Sequence, residues 1–242
     1  MCPRIYVYDK SEKSIGTSDF AAEFRTLLHP SLEYELFHRT NVGFEGESYL
    51  HHITSRWENL AHHTLFTQAH VHDQWQALRR VQDFLVPDTG FLSLAYPGKT
   101  CPRGRDCHDT GDWEESAAVL ERVDSMTNAS SVSENLVLTY RGQFIVSAAR
   151  IHANDKNMYD SLRQWLLASE AGRKMAMSST VTSENGREYP RSTAGFGYTL
   201  ERMWGAIFDC SEFKVALHCP SLLSGMLGRR VSVDSCQCLD RT

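Results

Sequence analysis

The chain reads as a mixed α/β domain, a sheet flanked by helices in three layers. Three observations predict it. Short β-branched and aromatic runs alternate with stretches of helical periodicity, the rhythm of strand-helix-strand units. Hydrophobic residues make up 41% and charged residues 23% of the chain, the balance of an ordinary globular protein. The length, 242 residues, is one that a single α/β domain can reach. Residues 1–242 are therefore read as one domain, with a tail of weak signature from about residue 209.

Residues 4–8 (RIYVY) form the first expected strand, closed by Asp9 and Lys10. Behind Ser18 and Asp19, Phe20, Ala21, Phe24, Leu27 and Leu28 recur at helical spacing, and residues 34–37 return to a strand. The rhythm repeats with a helix over 45–59, whose inner face carries Tyr49, Leu50, Ile53 and Trp57, and a strand over 64–67 (TLFT). Residues 74–84 are helical until Pro87 and Asp88 stop them. A polar loop over 98–112, a short helix over 114–122 and a polar break over 127–134 follow. Residues 136–147 read as a strand bending at Gly142. Helices are expected over 157–168 and 198–208, separated by a long polar loop over 178–194 that is a candidate lid.

A formal charge of -5 gives no broad attraction to phosphate backbones or anionic lipid. No apolar run approaches the roughly 18–20 residues that cross a bilayer, so no membrane partner is expected, and the opening MCPRIYVYDKSEKS lacks a leader pattern. Seven cysteines, an odd number, suit free thiols in a reducing, cytoplasmic setting. In that setting the sequon Asn128-Ala129-Ser130 reads as chance.

Six of the eleven histidines fall between His51 and His72. His70 and His72 follow the TLFT run, and alternate residues of a strand share a face, so the two imidazoles are candidate ligands of a divalent metal. The plain alternative is a set of solvated loop histidines. Cys101, Cys107 and His108, with Cys236 and Cys238, resemble parts of a zinc site at spacings that common zinc modules do not use. Asn41, Gly43 and Glu45 lie where a strand gives way to a helix, the place where open α/β sheets bind ligands; the structural alternative is a helix cap. Gln143 and Ser147 share one face of an alternating run and could bind a ligand or satisfy buried backbone.

The ordered segments NVGFEGESYLHHI, LFTQAH, RGQFIVSAARI and GYTLERMW resemble a domain family of unknown function abundant in filamentous fungi. Its pattern runs Asn-Val-Gly-Arg-Glu, Tyr-Leu, Phe-Leu-Gln-Gly-His, Gln-Phe-x-Val-Ser-Arg-x-x-Ile and Leu-Glu-x-x-Trp. The resemblance covers about residues 38–208 and singles out Asn41, Gly43, Glu45, Tyr49, Leu50, Gln68, His70, Gln143, Phe144, Ser147, Glu201 and Trp204. Phe44 stands where the family has its first arginine, and Ala148 or Ala149 where it has the second. More distantly the pattern is similar to GT-A glycosyltransferases, which implies a Rossmann-like or GT-A-like sheet. An Asp-x-Asp pair for a metal-bound diphosphate is missing from the expected place, near which His70, His72 and Asp73 stand.

The leading functional expectation is a group transferase of fungal secondary metabolism, glycosyltransferase-like, acting on a small molecule. Glu45, His70 and Glu201 are its candidate catalytic residues, and Asn41, Gly43, Tyr49, Gln68, Gln143, Ser147 and Trp204 its substrate-binding set. The alternatives are a tRNA-dependent, cyclodipeptide-forming aminoacyl transferase, which the acidic balance disfavours, a His-dependent metalloenzyme (oxidase or lyase) using His70 and His72, and a non-catalytic binding module.

Overall fold

The structure is a computed structural model that describes residues 3–11, 17–95, 99–109, 113–128, 133–176, 196–219 and 231–240. The expected lid over 178–194 lies outside the described residues. By its contacts the chain divides into two compact units, Met1–Phe44 and Glu45–Thr242.

The first unit is a strand-helix-strand motif: β1 (Arg4–Asp9), α1 (Thr17–Leu27) and β2 (Glu33–His38). The two strands pair in parallel from Arg4↔Glu33 to Asp9↔His38. Arg25, in the last turn of α1, donates to the Leu32 carbonyl at 2.7 Å and the Pro30 carbonyl at 3.1 Å, which anchors the return into β2. At the carboxyl end of the pair, Lys10 Nζ donates to the carbonyls of Val42 and Phe44 at 2.7 and 2.6 Å. That ties the end of β1 to the turn after β2. Gly43 and Phe44 both take positive φ there, 64° and 49°, so the turn needs the left-handed region that a Cβ resists.

The second unit opens with α2 (Phe44–Ser55, its first residue being the last of the first unit), β3 (His63–Phe66), α3 (Gln74–Phe84) and β4 (Thr89–Ser93). Short strands β5 (Thr100–Pro102), β6 (Cys107–His108) and β7 (Glu114–Glu115) lead into α4 (Ala117–Met126). Then come β8 (Asn135–Val137), β9 (Phe144–Ser147), α5 (Ala148–His152), α6 (Lys156–Ala176), α7 (Phe196–Ile207), α8 (Phe213–His218) and β10 (Gln237–Leu239). The main sheet runs β10-β4-β9-β3, and each neighbouring pair is antiparallel. Among the described residues, parallel pairing occurs in β1 and β2. Two further pairs, β5 with β8 and β6 with β7, are also antiparallel.

Strand alternation gives the main sheet two apolar faces. Phe91, Phe144 and Val146 pack with Tyr49, Leu50 and Ile53 of α2, Tyr159 and Leu162 of α6, and Leu200, Met203, Trp204 and Ile207 of α7. Leu92 and Ile145 join Ala77 and Phe84 of α3 in a separate cluster on the other side. The chain is thus mixed α/β, with several small sheets and flanking helices. All residues of β4 and β9 are buried. β4 leaves no periodic mark in the sequence, because a five-residue strand buried throughout, with no polar alternation, has no period to detect. The helix expected over 45–59 ends at Ser55 and gives way to a 3-10 turn over Trp57–Asn59.

The segment after residue 209 supplies the edge strand β10 and two cross-links, Cys210–Cys238 and Cys219–Cys236. A third joins Cys101 to Cys107. Six of the seven cysteines are paired, Cys2 lying outside the described residues, so the expectation of free thiols is corrected, and the sulfurs proposed for half a zinc site are committed to one another. Arg150 of α5 adds a polar lock: Nε meets Asp240 Oδ1 at 3.2 Å, Nη1 donates to the carbonyls of Phe208 and Asp209, and Nη2 donates to that of Leu239. Replacing Arg150 with alanine leaves three carbonyls and a carboxylate without this donor. The variant is expected to lose on the order of 2–4 kcal/mol of stability, measured by urea unfolding; a loss within a few tenths would show that water replaces the guanidinium without cost.

Candidate functional site

Between β8 and β9 the chain passes through Arg141 at φ 68° and Gly142 at φ 54°, the signs a type I′ turn requires at its two central positions. Glycine tolerates this, but arginine does so at a cost, and such a conformation persists only where its surroundings hold it. The surroundings here come from every segment singled out in the second unit. The Arg141 N–H donates to Glu201 Oε1 at 2.8 Å, and Gln68 Nε2 donates to the Arg141 carbonyl at 3.3 Å. Tyr49 Oη donates to the Gly142 carbonyl at 2.8 Å. A Cβ at Gly142 would lie 3.3 Å from Glu45 Oε1 and 3.5 Å from Gln68 Nε2, the ends of flexible side chains, so it is the positive φ that calls for glycine here.

Periodicity explains how these side chains arrive together. Glu45 and Tyr49 are four apart on α2, and Glu201 and Trp204 three apart on α7, so each pair shares a helix face. Trp204 lies 6.1 Å from the Tyr49 ring and 5.2 Å from Phe144 between centroids. Thr139, just before the turn, clamps the chain to α7: its hydroxyl donates to the Glu201 carbonyl at 2.6 Å and its N–H to that of Arg202 at 3.0 Å. Just after the turn, Gln143 Nε2 donates to the His72 carbonyl at 2.8 Å and holds the loop that carries His70 and His72.

Burial dominates the electrostatics. The Glu201 carboxyl is raised above its ordinary value, first by desolvation and also by the neighbouring charge of Glu45; the Arg141 N–H and the guanidinium of Arg202 oppose the shift. Its side chain keeps 15% of its surface open. The Tyr49 hydroxyl is pushed well above its ordinary value by burial, then by Glu45 and Glu201, and so remains a donor to the turn.

Two neighbours went unnoticed in the sequence. Arg202 forms a buried ion pair with Asp109, Nη2 to Oδ2 at 2.9 Å, and lies 3.5 Å from Glu201. Its guanidinium faces Trp113 and Tyr140, each at 5.1 Å, and Tyr198 at 5.7 Å. Asp109 sits in a polar loop and Arg202 beside an already chosen glutamate, so neither carries a local pattern that marks it. Tyr140 is itself raised to about 12, mainly by burial.

Other expected members lie elsewhere. Ser147 is at the far end of β9 from Gln143, paired with His63, and its hydroxyl accepts the Arg150 N–H at 3.1 Å as the cap of α5. Gln68 and His70 do not share a strand, because β3 stops at Phe66 and both follow it in a loop. His70 is exposed, His72 half-buried, and their rings are 5.4 Å apart. Among the described residues they are joined by no third group that would complete a metal cluster. The remaining histidines disperse. His52 is buried against Phe66, its pKa lowered to about 4 chiefly by desolvation. His62 and His63 meet through their Nδ1 atoms at 3.2 Å, and His63 Nε2 reaches the Thr89 carbonyl. Asn41, exposed, and Gly43, buried, belong to the turn that ends the first unit.

Residues 6–225 match the family described as "Protein of unknown function (DUF3431)", and the chain belongs to that family. No curated protein and no solved structure matches it significantly.

Tyr49→Phe removes the donor from a buried carbonyl at the turn and is expected to cost about 1–3 kcal/mol in unfolding free energy; an unchanged denaturation midpoint would mean that the turn does not need it. Because the folded-state pKa of Glu201 is raised, ionising it disfavours the folded state, so its contribution worsens as pH climbs from the ordinary carboxylate value through the raised one. Wild type should therefore lose stability over that window relative to Glu201→Gln. A difference that stays flat, or slopes the other way, in thermal melts across pH would show that the carboxyl is not raised.

Proposed function

We propose that the protein is a group transferase acting on a small polar molecule, with Glu201 as its acid-base residue, Glu45 as the second carboxylate and Gln68 orienting the substrate. The observation that carries this reading is the convergence of Glu45 and Glu201 on the Arg141–Gly142 turn. A largely buried carboxyl whose proton affinity is raised, with a second carboxyl group close by, is an arrangement that acid-base catalysis uses near neutral pH. In the transfer, Glu201 takes the proton of an acceptor hydroxyl as its oxygen attacks the transferred group, and the bond to the leaving group breaks.

A GT-A-like donor site draws support from the first unit taken by itself. The turn with Asn41 and Gly43 follows a strand of a parallel pair at its carboxyl end, where sheets of this kind bind nucleotides. Phe44 supplies no positive charge at the family's arginine position, so charge on a diphosphate would have to be met by other groups or by a divalent ion.

UDP-glucose, GDP-mannose, Mg2+, Mn2+ and aminoacyl-tRNA, each tested for a thermal shift, separate the readings, since a ligand of the folded state raises apparent stability. A saturable rise with a sugar nucleotide is expected. Glu201→Gln should keep that rise while donor turnover falls roughly 10²–10⁴-fold. A rise confined to aminoacyl-tRNA or to a divalent cation, or full turnover in Glu201→Gln, would replace this reading.

A further inference from the structure

The paired cysteines give meaning to a motif that the sequence alone leaves as chance. Asn128-Ala129-Ser130 is an acceptor sequon for N-linked glycosylation and the chain's single one. Free thiols in a reducing compartment would leave it without meaning. The structure pairs Cys101 with Cys107, Cys210 with Cys238 and Cys219 with Cys236, and all six are buried. Cross-links of this kind form and persist where the surroundings are oxidising, which is also where the glycosylation machinery works.

Asn128 itself is placed for modification. It is exposed, two residues beyond the end of α4, with its neighbours at 129–132 outside the described residues. Its backbone is fixed: the Asn128 N–H donates to Asn154 Oδ1 at 2.7 Å, and Asn154, buried, donates in turn to the Ile207 carbonyl at 2.8 Å. Its side-chain Nδ2 reaches the Ala153 carbonyl at 3.0 Å. An amide nitrogen carries two hydrogens, so a glycosylated Asn128 keeps one N–H to offer that carbonyl. The fold thus holds the residue at the surface without requiring both of its donors.

We propose that Asn128 is an N-glycosylation site and that the protein matures in an oxidising, lumenal or extracellular compartment. The acceptor is the Asn128 Nδ2, and the donor is an oligosaccharide carried on a lipid diphosphate. The bond from Nδ2 to the anomeric carbon forms, the bond from that carbon to the diphosphate oxygen breaks, the lipid diphosphate departs with the electron pair, and one amide proton is lost.

The test uses the protein isolated from its own organism. Peptide-N-glycosidase F in heavy-oxygen water converts a glycosylated asparagine into an aspartate bearing the label, and trypsin releases residues 123–141 with Asn128 and the non-sequon Asn135 on one peptide. Asn135 therefore reports spontaneous deamidation on the same molecule. The expected result is label at Asn128 and none at Asn135, with the unmodified peptide scarce until the enzyme is added. In denaturant, where burial no longer shields them, alkylation should reach the six paired cysteines after reduction and not before. Full recovery of unmodified 123–141 without the enzyme overturns the glycosylation site whatever the cysteines show. Alkylation of those six without reduction overturns the compartment.

Discussion

Phe144 occupies the point on which the larger unit is built. It lies on β9, a middle strand of the main sheet, and its ring has Tyr49, Phe66, Phe91, Trp204 and Phe208 within 5.9 Å. Those rings come from α2, β3, β4 and α7 and from the residue that follows α7. Burial of this much aromatic surface is a large apolar contribution to the fold. It also fixes the register of β9: a slip by one residue would exchange Phe144 and Val146 with Ile145, which serves the separate cluster against α3.

A strand fixed so firmly makes its entry turn a constrained place. Arg141 and Gly142 must reverse the chain within two residues, and both take the left-handed conformation. Their backbone atoms are satisfied by Tyr49, Gln68 and Glu201, with Glu45 filling the space beside Gly142. The same side chains therefore hold the turn and form the candidate site. Local strain held by a rigid scaffold is common at functional sites, and here the scaffold also buries Glu201 enough to alter its proton affinity.

The segment beyond α7 is held by a different logic. It has little periodicity, yet two disulfides close it on itself, Arg150 ties Asp240 to α5, and β10 extends the main sheet beside β4. Covalent and polar ties replace the continuous apolar stripe that fastens α2, α6 and α7.

Local sequence determined the element types wherever period was long enough to read. The helix over 74–84 has the bounds its apolar spacing implies, β1, α1 and β2 appear within a residue of their expected limits, and Glu45 with Tyr49 and Glu201 with Trp204 share helix faces because 3.6 residues make a turn. Tertiary structure decided what period cannot encode. The antiparallel order of the main sheet, the inclusion of β4 and β10, the cysteine pairings and the separation of Ser147 from Gln143 along β9 all depend on contacts between residues distant in sequence. So does the site: that Glu45, Gln68 and Glu201 surround one turn follows from how α2, the loop after β3 and α7 pack around Phe144, and packing of distant segments leaves no periodic trace in any one of them.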